Sequence, residues 1–314
     1  AMWFNRIQVC QFKTKPEYQP EQLEQEMLHH AFKPCSALVP TSFGFVSPID
    51  NDPESPLVYA HNGYIIFCMK IQEKLLPATV LREQLQEKIF NLEKKLGKRI
   101  SRDEKQQMKD ELQHTLLGQA FSKSSKVYAY IDTRNGRLVI NTTTTKKLEL
   151  FFKLTNQVLS QYNVHPYTLK SPTSILTSWL RDQDYPNCFT ILDKCSLEQN
   201  KEKSKINFSH NDLFCDGIKS LLEDGHLVTK LRLNWCGKIN FTVQKDLSIT
   251  NIRFLDEVKD LAKDGLQETA ADRFAADFFI MTETLDKFLE DILIEFVDNE
   301  AQTEESVATE AVAA

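Results

Sequence analysis

From Pro77 onward, apolar residues fall at Leu81, Leu85, Ile89, Leu92 and Leu96, at intervals of 4, 4, 3 and 4. That spacing predicts one apolar face of an amphipathic helix. Gly97 stands just past its end, where a left-handed residue terminates helices. Ser101-Arg-Asp-Glu104 has the form of a capping box and opens a second helix. Its stripe is Met108, Leu112, Leu116 and Leu117, followed by Gly118. Two such helices with a short link form an antiparallel hairpin with facing stripes. About 20 residues of helix make an arm of roughly 30 Å.

The flanks alternate as strands do. Leu57 to Ile71 carries Asn62-Gly63 between apolar runs, and Val127 to Thr143 repeats the pattern around Asn135-Gly136. Asn-Gly between apolar runs signals a tight type I′ hairpin. Helical periodicity resumes after Lys146 at Leu148, Phe151, Phe152 and Leu159. Leu227 to Phe254 reads as a meander with turns at Cys236-Gly237 and Lys245-Asp246. A final helix carries Leu285, Phe288, Leu289, Ile292, Leu293 and Phe296. The polar stretch from Lys194 to Asn211 reads as a loop or small excursion. Hairpin-paired strands with interspersed helices indicate an α+β fold. The expected organisation is an α+β core part over 1–76, a basic helical hairpin over 77–118, and a second core part over 119–170. A further α+β region spans 171–297, and a disordered acidic tail spans 298–314.

Hydrophobic residues make up 41% and charged residues 26% of the 314, a globular composition. No apolar run approaches the roughly 18 residues of a membrane span, so no membrane partner is expected. The first residues lack the apolar core of a secretory signal, which predicts a cytoplasmic protein. The 7 cysteines include no Cys-x-x-Cys and are read as reduced. The Asn-x-Ser/Thr runs at Asn141, Asn207 and Asn240 are then chance matches.

Charge changes the picture more. The net charge of −6 argues against a polyanion partner. Between Lys88 and Lys153, however, 15 Lys/Arg face 7 Asp/Glu, a local +8 that leaves −14 for the rest. A basic segment in an acidic protein attracts a polyanion locally. Six of these cations, Lys94, Lys95, Lys98, Arg99, Arg102 and Lys105, cluster at the arm's far end. The alternative is a set of solvated helix faces.

Catalytic signatures are sparse. The 9 glycines include no Gly-x-Gly and no phosphate-cradle spacing. His-Glu-x-x-His and Gly-x-Ser-x-Gly are absent from the sequence. Asp50/Asp52 and Asp182/Asp184 are paired carboxylates in turn-forming sequence, where Asp is an ordinary turn residue. Asp212 reads as a helix N-cap before Leu213 to Leu222. No catalytic residue, metal ligand or cofactor is expected.

Several runs in order resemble one family. They are Met2-Trp-Phe4, Ala31-Phe-Lys-Pro-Cys35, Ala60-His-Asn-Gly63, Glu73-Lys-Leu-Leu-Pro77 and Lys109-Asp-Glu-Leu-Gln-His-Thr-Leu-Leu117. Ala120-Phe-Ser122, Ile131-Asp-Thr-Arg-Asn-Gly136, Leu221-Leu-Glu-Asp-Gly225, Val228-Thr-Lys-Leu231 and Arg273-Phe-Ala-Ala-Asp-Phe-Phe-Ile-Met-Thr282 follow. Together they resemble the bacterial recombination-associated RdgC family, from Met2 to about Phe296.

The resemblance implies a non-enzymatic, ring-shaped homodimer whose basic hole encircles double- or single-stranded DNA without reading sequence. It implies a role in recombination through antagonism of RecA, and nucleoid association. Lys70, Lys74, Lys88, Lys98, Arg99, Lys105, Lys109, Lys123 and Lys230 are its candidate DNA contacts. Phe121 is its candidate dimer contact. Alignment on Asp212-Leu213 puts His210 and Asn211 where the family carries a Lys-Gln pair, a departure because His is only partly charged near neutral pH. Two other classes stand beside this reading: a metal-dependent nuclease using the paired aspartates, and a protein-interaction scaffold that does not bind DNA.

Overall fold

The computed structural model describes residues 2–199, 201, 203–210, 212–265 and 268–300. Two antiparallel sheets and eight helices account for most of them. The first sheet comprises β1 (Gln8–Phe12), β2 (Thr41–Val46), β3 (Val58–His61), β4 (Tyr64–Lys74), β5 (Ser122–Asp132), β6 (Arg137–Ile140) and β7 (Val164–Pro166). Its order is β2-β4-β5-β6-β1-β7, and β3 pairs with β4 beyond the end of β2. The second sheet comprises β8 (Phe189–Gln199), β9 (Ser204–Ser209), β10 (Leu227–Trp235), β11 (Ile239–Gln244) and β12 (Ile249–Phe254), in the order β12-β11-β10-β8-β9.

β4 is buried on both faces, which explains its unbroken apolar run rather than alternation. Ile65, Phe67, Met69 and Ile71 pack with Leu23 and Met27 of α1 (Pro20–Leu28) and Phe151 and Leu154 of α4 (Thr145–Leu159). Tyr64 and Ile66 face the other way, into a larger core built around the last helix, α8 (Ala270–Phe296).

α8 lies between the sheets. Phe278 meets Tyr59 and Tyr130 of the first sheet, at 5.6 and 6.4 Å between ring centroids. Ten residues further along, Phe288 meets Phe241 and Trp235 of the second, at 4.8 and 5.6 Å. α5 (Pro172–Asp182), α6 (Asp216–Glu223) and α7 (Asp256–Lys263) add Trp179, Ile218 and Val258 to the same core. The outer face of β10 and β11, by contrast, carries Lys230, Arg232, Asn240 and Thr242.

Several expectations need correction. The stretch from Lys194 to Asn211 is largely strand: β8 continues through Gln199 and β9 returns beside it. Its polar residues pair across the ladder, as Ser196 Oγ does to Asn207 Oδ1 at 2.7 Å, so a half-exposed edge needs few apolar residues. Asp212 does not cap α6. The helix starts at Asp216 after Cys215, and Asp212 Oδ1 instead accepts from the N–H of Phe214 at 3.0 Å. Asn62 and Gly63 form the expected tight turn, with φ of 52° and 81°. The loop at Asn135-Gly136 is longer. Only Gly136 has positive φ, and buried Asp132 accepts from the N–H groups of Arg134 and Asn135. α8 begins well before the predicted stripe, at a Thr269/Asp272 capping box.

Candidate nucleic-acid interface

The hairpin forms as its sequence predicts. α2 (Ala78–Leu96) ends at Gly97, φ 65°, and α3 (Arg102–Gln119) opens on the Ser101/Glu104 capping box. Leu81, Leu85, Ile89 and Leu92 are half-buried, and Leu112 is buried opposite them. Leu96 departs from the predicted seam and is 51% exposed. The chain reverses through Gly97, and Ile100 takes the buried place at the tip.

One carboxylate organises that tip. Glu93 Oε1 accepts from the Ile100 N–H at 3.0 Å and pairs with Lys105 Nζ at 3.2 Å. The Ile100 bond and then Lys105 hold its carboxyl below the usual range. Lys105 is therefore engaged within the arm. Lys94, Lys95, Lys98, Arg99 and Arg102 are exposed around it, with Lys88 and Lys109 exposed along the shaft.

The root of the arm joins β4 to β5. Phe121 is 86% exposed, so it is not a core aromatic. Lys74 Nζ donates to the carbonyl of Ala120 at 3.0 Å, so it ties the root together. Lys123 stands opposite Glu73 across the ladder, and Glu73 is itself paired with Lys146. Lys70 lies four residues further into β4 than Lys74, its Nζ 4.6 Å from the centre of the Phe32 ring.

Lys70, Lys74, Lys123 and Phe121 thus share the sheet end from which the arm projects. Lys230 and His210 belong to the second sheet instead. Lys230 is half-exposed on β10 opposite Gln244. His210 follows β9 and its Nδ1 lies 3.1 Å from Asp193 Oδ2. Asn211 lies outside the described residues, as do residues 301–314 of the acidic tail. Lys126, which is not one of the candidate duplex contacts, is directly opposite Lys70. The alternation of β5 outward from Val127 could have found it.

Asp50 and Asp52 act as turn residues, whereas Asp182 is the last residue of α5 rather than part of a loop. Asp50 Oδ1 accepts from the Asp52 N–H, and Asp52 Oδ1 from the Glu54 N–H, both at 3.0 Å. Asp182 is engaged by Arg181 at 2.9 Å. Among the described residues, no three His, Cys, Asp or Glu side chains converge as a metal site. Nor is any helix among them long and apolar enough to cross a membrane.

Comparison with known proteins decides the family. The family model described as "Putative exonuclease, RdgC" matches residues 2–299. The chain belongs to the RdgC family. The recombination-associated protein RdgC of Enterobacter sp. (strain 638) is 34% identical over 303 residues, 96% of this chain and 99% of that protein. The RdgC protein of Aeromonas hydrophila is 34% identical over 290 residues, covering 92% of this chain and 95% of its own. That of Tolumonas auensis is 33% identical over 294, covering 93% and 97%. The RdgC match thus takes in both sheets, the hairpin arm and α8, and supports a role in recombination.

Proposed function

We propose that this chain is a non-enzymatic, sequence-independent DNA-binding protein that closes as a dimeric ring around DNA and limits RecA activity in recombination. The observation that carries the reading is the projecting arm. It presents exposed Lys94, Lys95, Lys98, Arg99 and Arg102 at its tip, and exposed Phe121 at its root. Flexible cations on a solvated arm suit the phosphate backbone, which carries no sequence information. A large exposed aromatic suits a protein interface, where binding energy concentrates in such anchors. The acidic remainder of the surface favours confinement of DNA to the basic side.

Duplex binding measured against salt tests this. Log affinity falls with log salt at about −0.9 per phosphate contacted, alike for scrambled sequences. Binding that ignores salt or depends strongly on sequence refutes the backbone-contact model. Purified protein should also reduce the DNA-dependent ATP hydrolysis of RecA on the same DNA.

The description of the matching family model favours a second reading, an exonuclease. End-labelled DNA incubated with magnesium separates the two. Stepwise loss of nucleotides, abolished by Asp50→Ala or Asp182→Ala, would establish the enzyme.

A further inference from the structure

The ladder of β4 and β5 sets Lys70 and Lys126 directly opposite each other, on the same face of the sheet. Like charges in that relation repel and destabilise a sheet. Neither makes an ion pair among the described residues; Lys70 lies over the Phe32 ring and Lys126 Nζ donates to Asn51 Oδ1 at 2.9 Å. Both are half-buried, and both line one cleft of about 490 Å³ at the β2 edge of the sheet. That volume is within the range of small-molecule sites.

The cleft is built, not incidental. Gly44 lies beside Lys70 on β2, and a Cβ there would come within 2.6 Å of the Phe32 backbone. Only glycine lets the segment at residues 30–34 cross so close and bring Phe32 over Lys70. Leu28, Pro34 and Pro53 supply the apolar wall. Asp50 and Asp52 stand at the rim, each using one oxygen to hold its turn.

We infer that this cleft is a nucleotide site, which holds one unpaired nucleotide with its phosphate at the Lys70/Lys126 pair. The two ammonium groups supply the charge that a phosphate needs. The apolar wall suits the flat face of a base. The carboxylate and amide oxygens of Asp50, Asn51 and Asp52 are acceptors for an exocyclic amine. The inference rests on the DNA-binding reading for its main source of nucleotide, an unpaired base in a bound strand; a free mononucleotide has the same chemistry.

Lys126→Met tests it, because Lys126 lies outside the proposed duplex contacts and Met keeps the apolar stem. Anisotropy compares a labelled single strand with a duplex of equal length, and calorimetry follows dAMP. The variant should bind the single strand about tenfold more weakly, the loss of one charged hydrogen bond. Its duplex affinity should stay within about twofold of the parent, given that most duplex contacts remain. Its melting temperature should hold or rise, since a like-charge pair is relieved. Asn51→Ala, on an exposed loop, should weaken the single strand in the same direction. Loss of the single strand without dAMP binding assigns the site to DNA; dAMP binding by the parent that the variant loses assigns it to free nucleotides. Equal weakening of single strand and duplex overturns the inference, as does no change in either together with no dAMP binding. A parent protein that binds no DNA refutes the proposed function, and the dAMP measurement then judges the cleft alone.

Discussion

The N–H of Leu75 donates to the carbonyl of Phe121 at 2.8 Å, closing the root of the hairpin arm with a backbone bond. The phenyl ring takes no part in that bond and projects into solvent. At this position the backbone serves the fold and the ring is left free of it.

Phe121→Ala should accordingly leave subunit stability within about 0.5 kcal/mol, as for an exposed site away from the core. If the ring is an interface anchor, self-association should weaken by about 30-fold or more. Thermal melting and sedimentation velocity on the same sample check both. A large drop in melting temperature with unchanged association would refute the anchor role.

Glu93 gives the arm tip a pH dependence. Its folded carboxyl titrates below the usual 4.5, chiefly through the Ile100 N–H and then Lys105. The interaction it supplies is complete above the unfolded value and is lost as pH falls through the folded one. The amide resonance of Ile100 should therefore shift with a midpoint below 4.5. Glu93→Gln should remove that titration and free Lys105, raising duplex affinity at low salt. A midpoint above the ordinary value would contradict the arrangement.

Phe288 has no exposed surface and touches two rings of the second sheet. Phe288→Ala leaves a cavity between α8 and that sheet. A loss of about 3–5 kcal/mol is expected by denaturant titration. A loss under 1 kcal/mol would mean that the layer collapses around the gap.

Gly44→Ala tests the close crossing at the cleft. The added Cβ meets backbone rather than a movable side-chain end, at 2.6 Å from Phe32 Cα. Overpacking of this kind costs about 1–3 kcal/mol. Hydrogen exchange should show the Phe32 N–H, which donates to Phe45 at 2.9 Å, losing protection. Unchanged exchange and stability would show that the segment gives way freely.

The hairpin arm was legible from residue order because its determinants are local. A 3.6-residue stripe, Gly97 and the Ser101/Glu104 box act within a few turns of one another, and all appear in the folded chain. The Asn62-Gly63 turn was legible for the same reason. What tertiary structure decided depends on partners distant in sequence. β9 is a strand because β8 offers it a ladder, although its own composition is that of a loop. α8 bridges two sheets because rings from both converge on it. Lys126 matters because β4 sets Lys70 opposite it, and Lys105 is engaged because Glu93 lies across the hairpin. Charge can be counted along a chain. Which charges face solvent, which face each other and which are already paired depends on the fold that brings them together.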